Sequence, residues 1–336
     1  MRAVGLDFAR RLLADRDVAP PPAPGPGEVV FRIRGVGVCG TDRELAAFEI
    51  GYPPPGASWL TLGHEAVGEV VAAGDGVAAL APGDWVVPLV RRSCRAGCRW
   101  CAAGRRDLCE SATCAERGIY GLDGYFCEFA LDRAEDLVRV APELADVAVL
   151  VEPLSVIEKA VERLTATHPG EPRTVLVLGA GPIGILAALV LQLRGFEVTV
   201  HSLEPVSHPR ARLLTSSGVL YCPRLPAKAD LVIEATGSGQ AAALAVDRLS
   251  PNGVCCLLGA RGEARFPALR LIVENLAVFG SVNASPAAFR LAAQDLGRLD
   301  RKLAASLLRR VSWRAYGESI RTTPGDSIKL VHVFAD

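Results

Sequence analysis

The apolar run Thr174-Val175-Leu176-Val177-Leu178 leads directly into Gly179-Ala180-Gly181-Pro182-Ile183-Gly184 and then into the helix-patterned stretch from Ile185 to Arg194. No other feature constrains the fold as much. A short, fully apolar segment reads as a strand buried on both faces, as in a parallel sheet. Each of the three glycines has its own reason. One makes the turn, the next lets backbone N–H groups approach a pyrophosphate, and the third lets the helix pack against the strand. Such a fingerprint is weak alone and strong between a strand and a helix, so Gly179, Gly181, Pro182, Ile183 and Gly184 are expected to bind a dinucleotide. Apolar segments go on alternating with helical ones at Val198–Val200, Leu231–Ala235 and Gly253–Leu258. That pattern predicts a doubly wound α/β domain. The stretch from Gly218 to Asp230 is short for such a domain, which predicts a strand or helix trimmed at the sheet edge.

The end of the second strand bears on which nucleotide is used. An acid there would accept from the ribose 2′-hydroxyl of NAD. Here the chain reads His201-Ser202-Leu203-Glu204, with Ser202 in the acid's place. Arg210 and Arg212 are candidates for a 2′-phosphate, and Glu204 is the residue that would serve NAD. The balance favours NADP over NAD.

The first 150 residues have a different texture. Val29–Val38 alternates like a strand and delivers Cys39, and Ala66–Ala73 and Trp85–Val90 read the same way between glycine-rich turns. The proline cluster Pro20–Pro26 reads as an extended surface connection. Two short phrases carry metal chemistry: Cys39-Gly40-Thr41-Asp42 and Gly63-His64-Glu65. They offer a thiolate, an imidazole and a carboxylate, side chains that Zn²⁺ takes as ligands. A mixed set beside a hydroxyl, Thr41, reads as a catalytic metal with one position left open. Cys94, Cys98, Cys101 and Cys109 instead offer four thiolates at a spacing that closes a structural zinc site and pins a loop without a core of its own. Taken singly, each residue has an ordinary reading: a buried thiol for Cys39, a turn for Asp42, a surface loop for His64, a helix cap for Glu152. Together with a dinucleotide loop those readings become improbable.

At 336 residues the chain suits two domains. Its 37 Lys and Arg balance 37 Asp and Glu, which leaves no electrostatic reason to seek nucleic acid or an anionic membrane. The longest apolar stretch, Ile185–Leu193, is too short to span a bilayer. The opening Met1–Gly5 lacks the pattern of a secretion signal, and four of ten cysteines cluster. These features predict a cytoplasmic chain that binds metal rather than a disulfide scaffold, with Cys222, Cys255 and Cys256 as buried thiols. The final segment Ile328–Phe334 is strand-like and is expected to return to the first domain.

The motif order CGTD, GHE, GDWVV, four cysteines and the glycine fingerprint resembles the zinc-dependent medium-chain dehydrogenase/reductase superfamily over essentially the whole chain. Glu116-Arg117-Gly118-Ile119-Tyr120-Gly121-Leu122-Asp123-Gly124, Val151–Ala160 and Gly280-Ser281-Val282-Asn283 are similar to its glucose dehydrogenase branch. The resemblance implies an α/β chain with a GroES-like β-rich catalytic domain over residues 1–152 and 284–336 and a Rossmann doubly wound parallel-sheet domain over 153–283. It implies Cys39 and His64 as ligands of the catalytic zinc, with Glu152 as the third, bound directly or through water. Glu65 becomes a nearby or exchanging carboxylate, Thr41 a proton relay from a substrate hydroxyl, and Asp42 the group that orients the His64 imidazole. Glu116 and Asn283 would hold substrate hydroxyls, with Asn283 also near the nicotinamide. A homo-oligomer, dimer or tetramer, is implied too.

The chain departs from the family pattern in two further places. One extra residue separates Cys94 from Cys98, and Val90 and Val156 replace polar substrate contacts of some sugar-oxidising relatives. The expected function is hydride transfer from a hydroxyl of a sugar, sugar derivative or cyclitol to NAD(P)⁺. The alternatives are an alcohol dehydrogenase or carbonyl reductase for a less polar substrate, and a zinc- and nucleotide-binding protein without catalysis.

Overall fold

The computed structural model describes residues 1–111, 113–224, 226–259, 262–322 and 328–334. The chain forms two compact units. The first comprises Met1–Glu152, Asn283–Gly297 and Ala304–Asp336, and the second Pro153–Val282 and Arg298–Leu303. Asn283 therefore lies in the first unit, and 298–303 in the second. Positions 323–327 and 335–336 of the expected 284–336 segment lie outside the described residues.

In the first unit the strand Glu28–Val38 is the spine. Glu28, Arg32 and Arg34 are its half-buried positions, and it is buried on both faces over Gly35–Val38, so the chain enters the interior just before Cys39. Its partners are antiparallel: Phe129–Arg133 along its first half, Glu65–Ala73 along most of its length, and Lys329–Val333 at its end. Gly37 stands opposite Glu65, and Val38 opposite Leu330. The final segment returns to the first unit as its strand pattern predicts, and the return brings Lys329 beside the end of the spine. The sheet continues outward through Trp85–Pro88 and Leu137–Val140 on one side and Leu308–Ser312 on the other. A smaller sheet of Leu12–Asp17, Arg2–Asp7 and Trp59–Thr61 lies apart from it in hydrogen bonding.

In the second unit the described residues form a parallel sheet of six strands in the order Leu220–Cys222, Glu197–His201, Thr174–Leu178, Ala229–Glu234, Leu249–Leu257, Ala277–Gly280. Strand order reverses between Thr174–Leu178 and Ala229–Glu234, the kind of switch point where doubly wound sheets bind ligands. The helix Pro182–Leu193 follows the first of these and starts three residues earlier than its apolar run alone predicts, because Pro182 fits the first helical turn. The stretch after Gly218 keeps its strand, Leu220–Cys222, and among the described residues no helix lies between it and Ala229. Leu176, Leu178, Val232, Ala245, Leu249 and Cys255 pack into a core cluster. Cys255 and Cys256 are buried as expected, whereas Cys222 is half-buried near the sheet edge, its Sγ 3.3 Å from the Arg224 carbonyl. Among the described residues no helix is long and apolar enough to cross a membrane.

Candidate active site and metal centres

Cys39 is the N-cap of the helix Gly40–Ala46. Its Sγ accepts the Thr41 N–H at 3.2 Å, and its own N–H donates to Asp42 Oδ2 at 2.8 Å. This reciprocal cap fixes where the thiol points. His64 Nε2 lies 3.1 Å from that sulfur. The other ring nitrogen, Nδ1, is 3.6 Å from Asp42 Oδ1, too far for a hydrogen bond, and has no hydrogen-bond partner among the described residues. Asp42 therefore holds the Cys39 backbone directly and faces the imidazole at longer range. Thr41 is half-buried in the first turn of the same helix.

The donor atoms of Cys39, His64 and Glu65 all lie within 4.8 Å of one another. The nearest donor trio thus includes Glu65, which the motif reading placed beside the ligand set. Glu65 is also ion-paired with the ammonium of Lys329, and both are almost fully buried. Lys329 carries no motif, and only the strand pattern of Ile328–Phe334 hinted at where its strand would lie. Glu152 is buried in the first turn of the helix Val151–Thr167. Burial and then the neighbouring Glu65 push its carboxyl up to about 8, against the opposing pull of His64 and Lys329. Burial lowers the His64 pKa, but Cys39, Asp42 and Glu152 together outweigh it and hold the imidazole well above its usual range. Three carboxyls and a thiol therefore face one imidazole and one ammonium in a buried space. That charge balance, with the sulfur and Nε2 converging, fits a divalent cation.

The sulfurs of Cys94, Cys98, Cys101 and Cys109 also lie within 4.8 Å of one another. The extra residue between Cys94 and Cys98 is absorbed by a turn in which Gly97 takes φ +59° and donates to the Cys94 carbonyl at 3.2 Å. Backbone N–H groups of Cys94, Cys98 and Ser111 each point at a sulfur, of Cys101, Cys94 and Cys109, at 3.4 Å. Such donors favour thiolates. Backbone N–H groups of Cys101 and Glu110 bring the Cys98 thiol down to about 6, while burial pushes Cys101 up to about 12. Four sulfurs so arranged fit a tetrahedral metal, and all ten cysteines are unbridged.

Glu116 and Asn283 meet: Asn283 Nδ2 donates to Glu116 Oε1 at 3.2 Å. The same oxygen receives Arg91 through Nε at 2.9 Å and Nη2 at 2.6 Å. Arg91 carries no motif that marks it in the sequence. The neighbouring Arg92 enters a different network. It binds Tyr125 and Asp132 through Nη2 and Asp136 through Nε, with Arg117 on the far oxygen of Asp132. Val90 is 4 % exposed and belongs to the core.

In the second unit, a cavity of about 640 Å³ is lined by Gly179, Ala180, Gly181, Ser202, Glu204 and Arg210, among others. Gly184 lies outside this wall and packs against the turn instead, since a Cβ there would overlap the Gly179 carbonyl oxygen. Pro182 and Ile183 form the first turn of the helix behind the loop. Ser202 Oγ donates to Glu204, Arg210 Nη1 stands 3.7 Å from the same carboxylate, and Tyr221 OH donates to the Glu204 carbonyl at 2.6 Å. Burial raises the Glu204 pKa, but the Ser202 hydroxyl, backbone and Arg210 more than offset it, so the carboxyl sits below its usual range. Arg212 is exposed.

The C-terminal domain family of glucose dehydrogenases matches residues 145–332, and the GroES-like domain family of alcohol dehydrogenases matches residues 25–142. Among characterised proteins, the glucose 1-dehydrogenase of Methanocella arvoryzae is 38% identical over 320 residues, 89% of each chain. That of Thermoproteus tenax is 42% identical over 281 residues, 79% of each. Among solved structures, the glucose dehydrogenase of Haloferax mediterranei in complex with NADP, Zn and gluconolactone superposes with a TM-score of 0.90 at 29% identity, covering both chains completely. Fold, motif order and relatives converge: the chain belongs to the glucose dehydrogenase branch of the zinc-dependent medium-chain dehydrogenases.

Proposed function

We propose that this protein oxidises the anomeric hydroxyl of an aldose, glucose or a close relative, by hydride transfer to NADP⁺. The observation that carries the sugar reading is the meeting of Glu116 and Asn283. A buried carboxylate and an amide held side by side offer acceptors to neighbouring hydroxyls; Oε1 is already taken by Arg91 and Asn283, and a simple alcohol would leave the other carboxylate oxygen without a donor. Burial of Val90 in the core also weakens the case for an apolar substrate. The names of the relatives support the same substrate class.

In this reading Cys39 and His64 hold the catalytic zinc, with Glu65 and Glu152 as the carboxylates that share or exchange the remaining position. When bound, zinc supplies Lewis acidity toward a hydroxyl oxygen, and the nicotinamide accepts the hydride. Thr41 takes the proton from the substrate hydroxyl and passes it outward. Asp42 keeps Cys39 in place through the helix cap, and its charge favours the imidazole orientation that turns Nε2 toward the sulfur. Glu116 and Asn283 orient the sugar. Gly179, Gly181, Pro182, Ile183 and Gly184 hold the pyrophosphate. Around the adenosine ribose, Arg210 favours a 2′-phosphate, while Glu204 is already engaged by Ser202 and Arg210. NADP is thus the preferred cofactor and NAD the poorer one.

The test is a kcat/KM panel of aldoses, polyols and simple alcohols with each nucleotide. Aldoses with NADP should lead. A clear preference for a simple alcohol would overturn the sugar reading, and turnover of nothing in the panel would favour the non-catalytic alternative.

We further infer a homo-oligomer in a reducing cytoplasm. The last strand of the sheet, Ala277–Gly280, is an edge, and Leu269, Ile272, Val273 and Val282 near it in sequence are all at least 66 % exposed. Such an edge and apolar patch invite a second copy. Light scattering that gives a monomer mass at micromolar concentration would refute this. Ten unbridged thiols fit the compartment.

A further inference from the structure

We propose that Arg91 is a positioning residue that couples the tetracysteine loop to the sugar-holding carboxylate of Glu116, so that the metal in the loop sets substrate affinity. The proposal rests on the sugar reading above.

A glutamate side chain has several rotamers, and fixing one costs conformational entropy unless neighbours hold it. Arg91 supplies the hold for Glu116. Two of its nitrogens converge on Oε1, the oxygen that also takes Asn283, while Oε2 receives no hydrogen bond from the described residues. Guanidinium–carboxylate contacts of this kind are both strong and directional. The backbones of Arg91 and Glu116 also form an antiparallel bridge, so side chain and main chain agree on one placement. The carboxylate's second oxygen is thereby aimed rather than free to rotate.

Arg91 must itself be held, because its stem is as flexible as that of Glu116. Its third nitrogen, Nη1, donates to the Asp107 carbonyl at 3.2 Å, and its own carbonyl receives Arg106 Nη1 at 3.5 Å. Both contacts fall on the single turn Arg106–Leu108, which lies between Cys101 and Cys109. The Asp107 carboxyl is fully buried against Arg105. Arg106 is drawn at the same time to Asp136. The four-residue helix before this turn, Arg99–Ala102, buries no side chain, so beyond the Arg106 and Asp107 contacts the turn is held through Cys101 and Cys109 on either side of it, which a metal at the four sulfurs would close. The chain of contacts is continuous: sulfur site, Asp107 carbonyl, Arg91, Glu116 Oε1, Asn283. All of these residues lie in one compact unit.

The test compares wild type, Arg91→Met, Arg91→Lys, Cys98→Ser and the double variant Arg91→Met/Cys98→Ser, each loaded with zinc and assayed with its best sugar. Arg91→Met should raise the sugar KM, and the sugar dissociation constant measured by calorimetry, ~10–100-fold, the range expected for losing a charged hydrogen-bond partner. The effect should fall on KM rather than kcat, with the nucleotide dissociation constant unchanged. Arg91→Lys keeps a charge but cannot reach Glu116 and Asp107 together, so it should recover only part of the affinity. Cys98→Ser should lower bound zinc from two per chain to one and raise the sugar dissociation constant similarly, and adding Arg91→Met should then cost little more. Unchanged sugar affinity in Arg91→Met, or fully additive losses in the double variant, overturns the coupling. If Cys98→Ser does not fold, the two Arg91 variants decide alone: loss in Met with partial recovery in Lys supports the proposal, and equal affinities overturn it. A wild type that turns over no sugar overturns the sugar reading itself, and this proposal with it.

Discussion

Lys329 is 2 % exposed, and its ammonium meets the Glu65 carboxylate while Cys39 and Glu152 add their own attraction. Burial lowers its pKa, but these three neighbours more than offset that and hold it above the usual lysine range. Removing one member of a buried pair costs about 3–5 kcal/mol, because the partner is left uncompensated. Lys329→Met should therefore lower the melting temperature of metal-free protein markedly. A bound divalent cation can replace the missing charge, so zinc should raise the melting temperature more in the variant than in wild type. Equal zinc-induced shifts in the two proteins would show that Lys329 and the metal do not share the same carboxylates. Cys39, His64 and Glu65 were legible in the sequence because their side-chain types declare metal chemistry within two short phrases. Lys329 and Arg91 were not, since a lone lysine or arginine carries no such signal. Their partners are set by strand register and by a loop turn, respectively.

At the scale of elements, the parallel strands were the most legible part of the chain, because burial on both faces demands unbroken apolar runs such as Thr174–Leu178 and Leu231–Ile233. That no helix lies between Cys222 and Ala229 among the described residues was legible as a shortage of residues. The small sheet was not: Leu12–Asp17 is half polar with only Leu13 buried, and its ladder with Arg2–Asp7, rather than burial, defines it. The glycine fingerprint makes a sharper statement, because its positions differ in what a methyl group would meet. At Gly184 a Cβ overlaps the Gly179 carbonyl, whereas at Gly181 it meets nothing within 4 Å. Gly184→Ala should thus destabilise the second unit by about 1–3 kcal/mol through overpacking. Gly181→Ala should leave thermal unfolding unchanged yet weaken nucleotide binding by at least about 1.4 kcal/mol, a tenfold rise in dissociation constant. A fluorescence titration and a melting curve on each variant separate the two. If Gly181→Ala binds NADP as wild type does, the space beside that residue is not where the pyrophosphate lies.

For the molecule as a whole, the two metal centres differ in what each would lose with its ion. The tetracysteine site offers four sulfurs to a metal that needs four ligands, with backbone N–H groups already aimed at all four. Filled sites of this kind supply folding energy outright, and binding to comparable peptides is worth roughly 10–16 kcal/mol. The Cys39–His64–Glu65 centre has mixed donors, one of which is also committed to Lys329, and its chemistry requires a position left open. Its zinc should exchange first. A mild chelator should therefore remove one equivalent of zinc together with sugar oxidation, while the melting temperature falls only modestly. A stronger or longer treatment should then release the second equivalent, expose four further reactive thiols, and lower the melting temperature of the protein sharply. The order can be read by following zinc release with a colorimetric dye, thiol titre with a disulfide reagent and residual turnover in the same sample. If four thiols became reactive before turnover fell, the tetracysteine loop would be the more labile centre, and its role as the fixed anchor of the first unit would have to be given up.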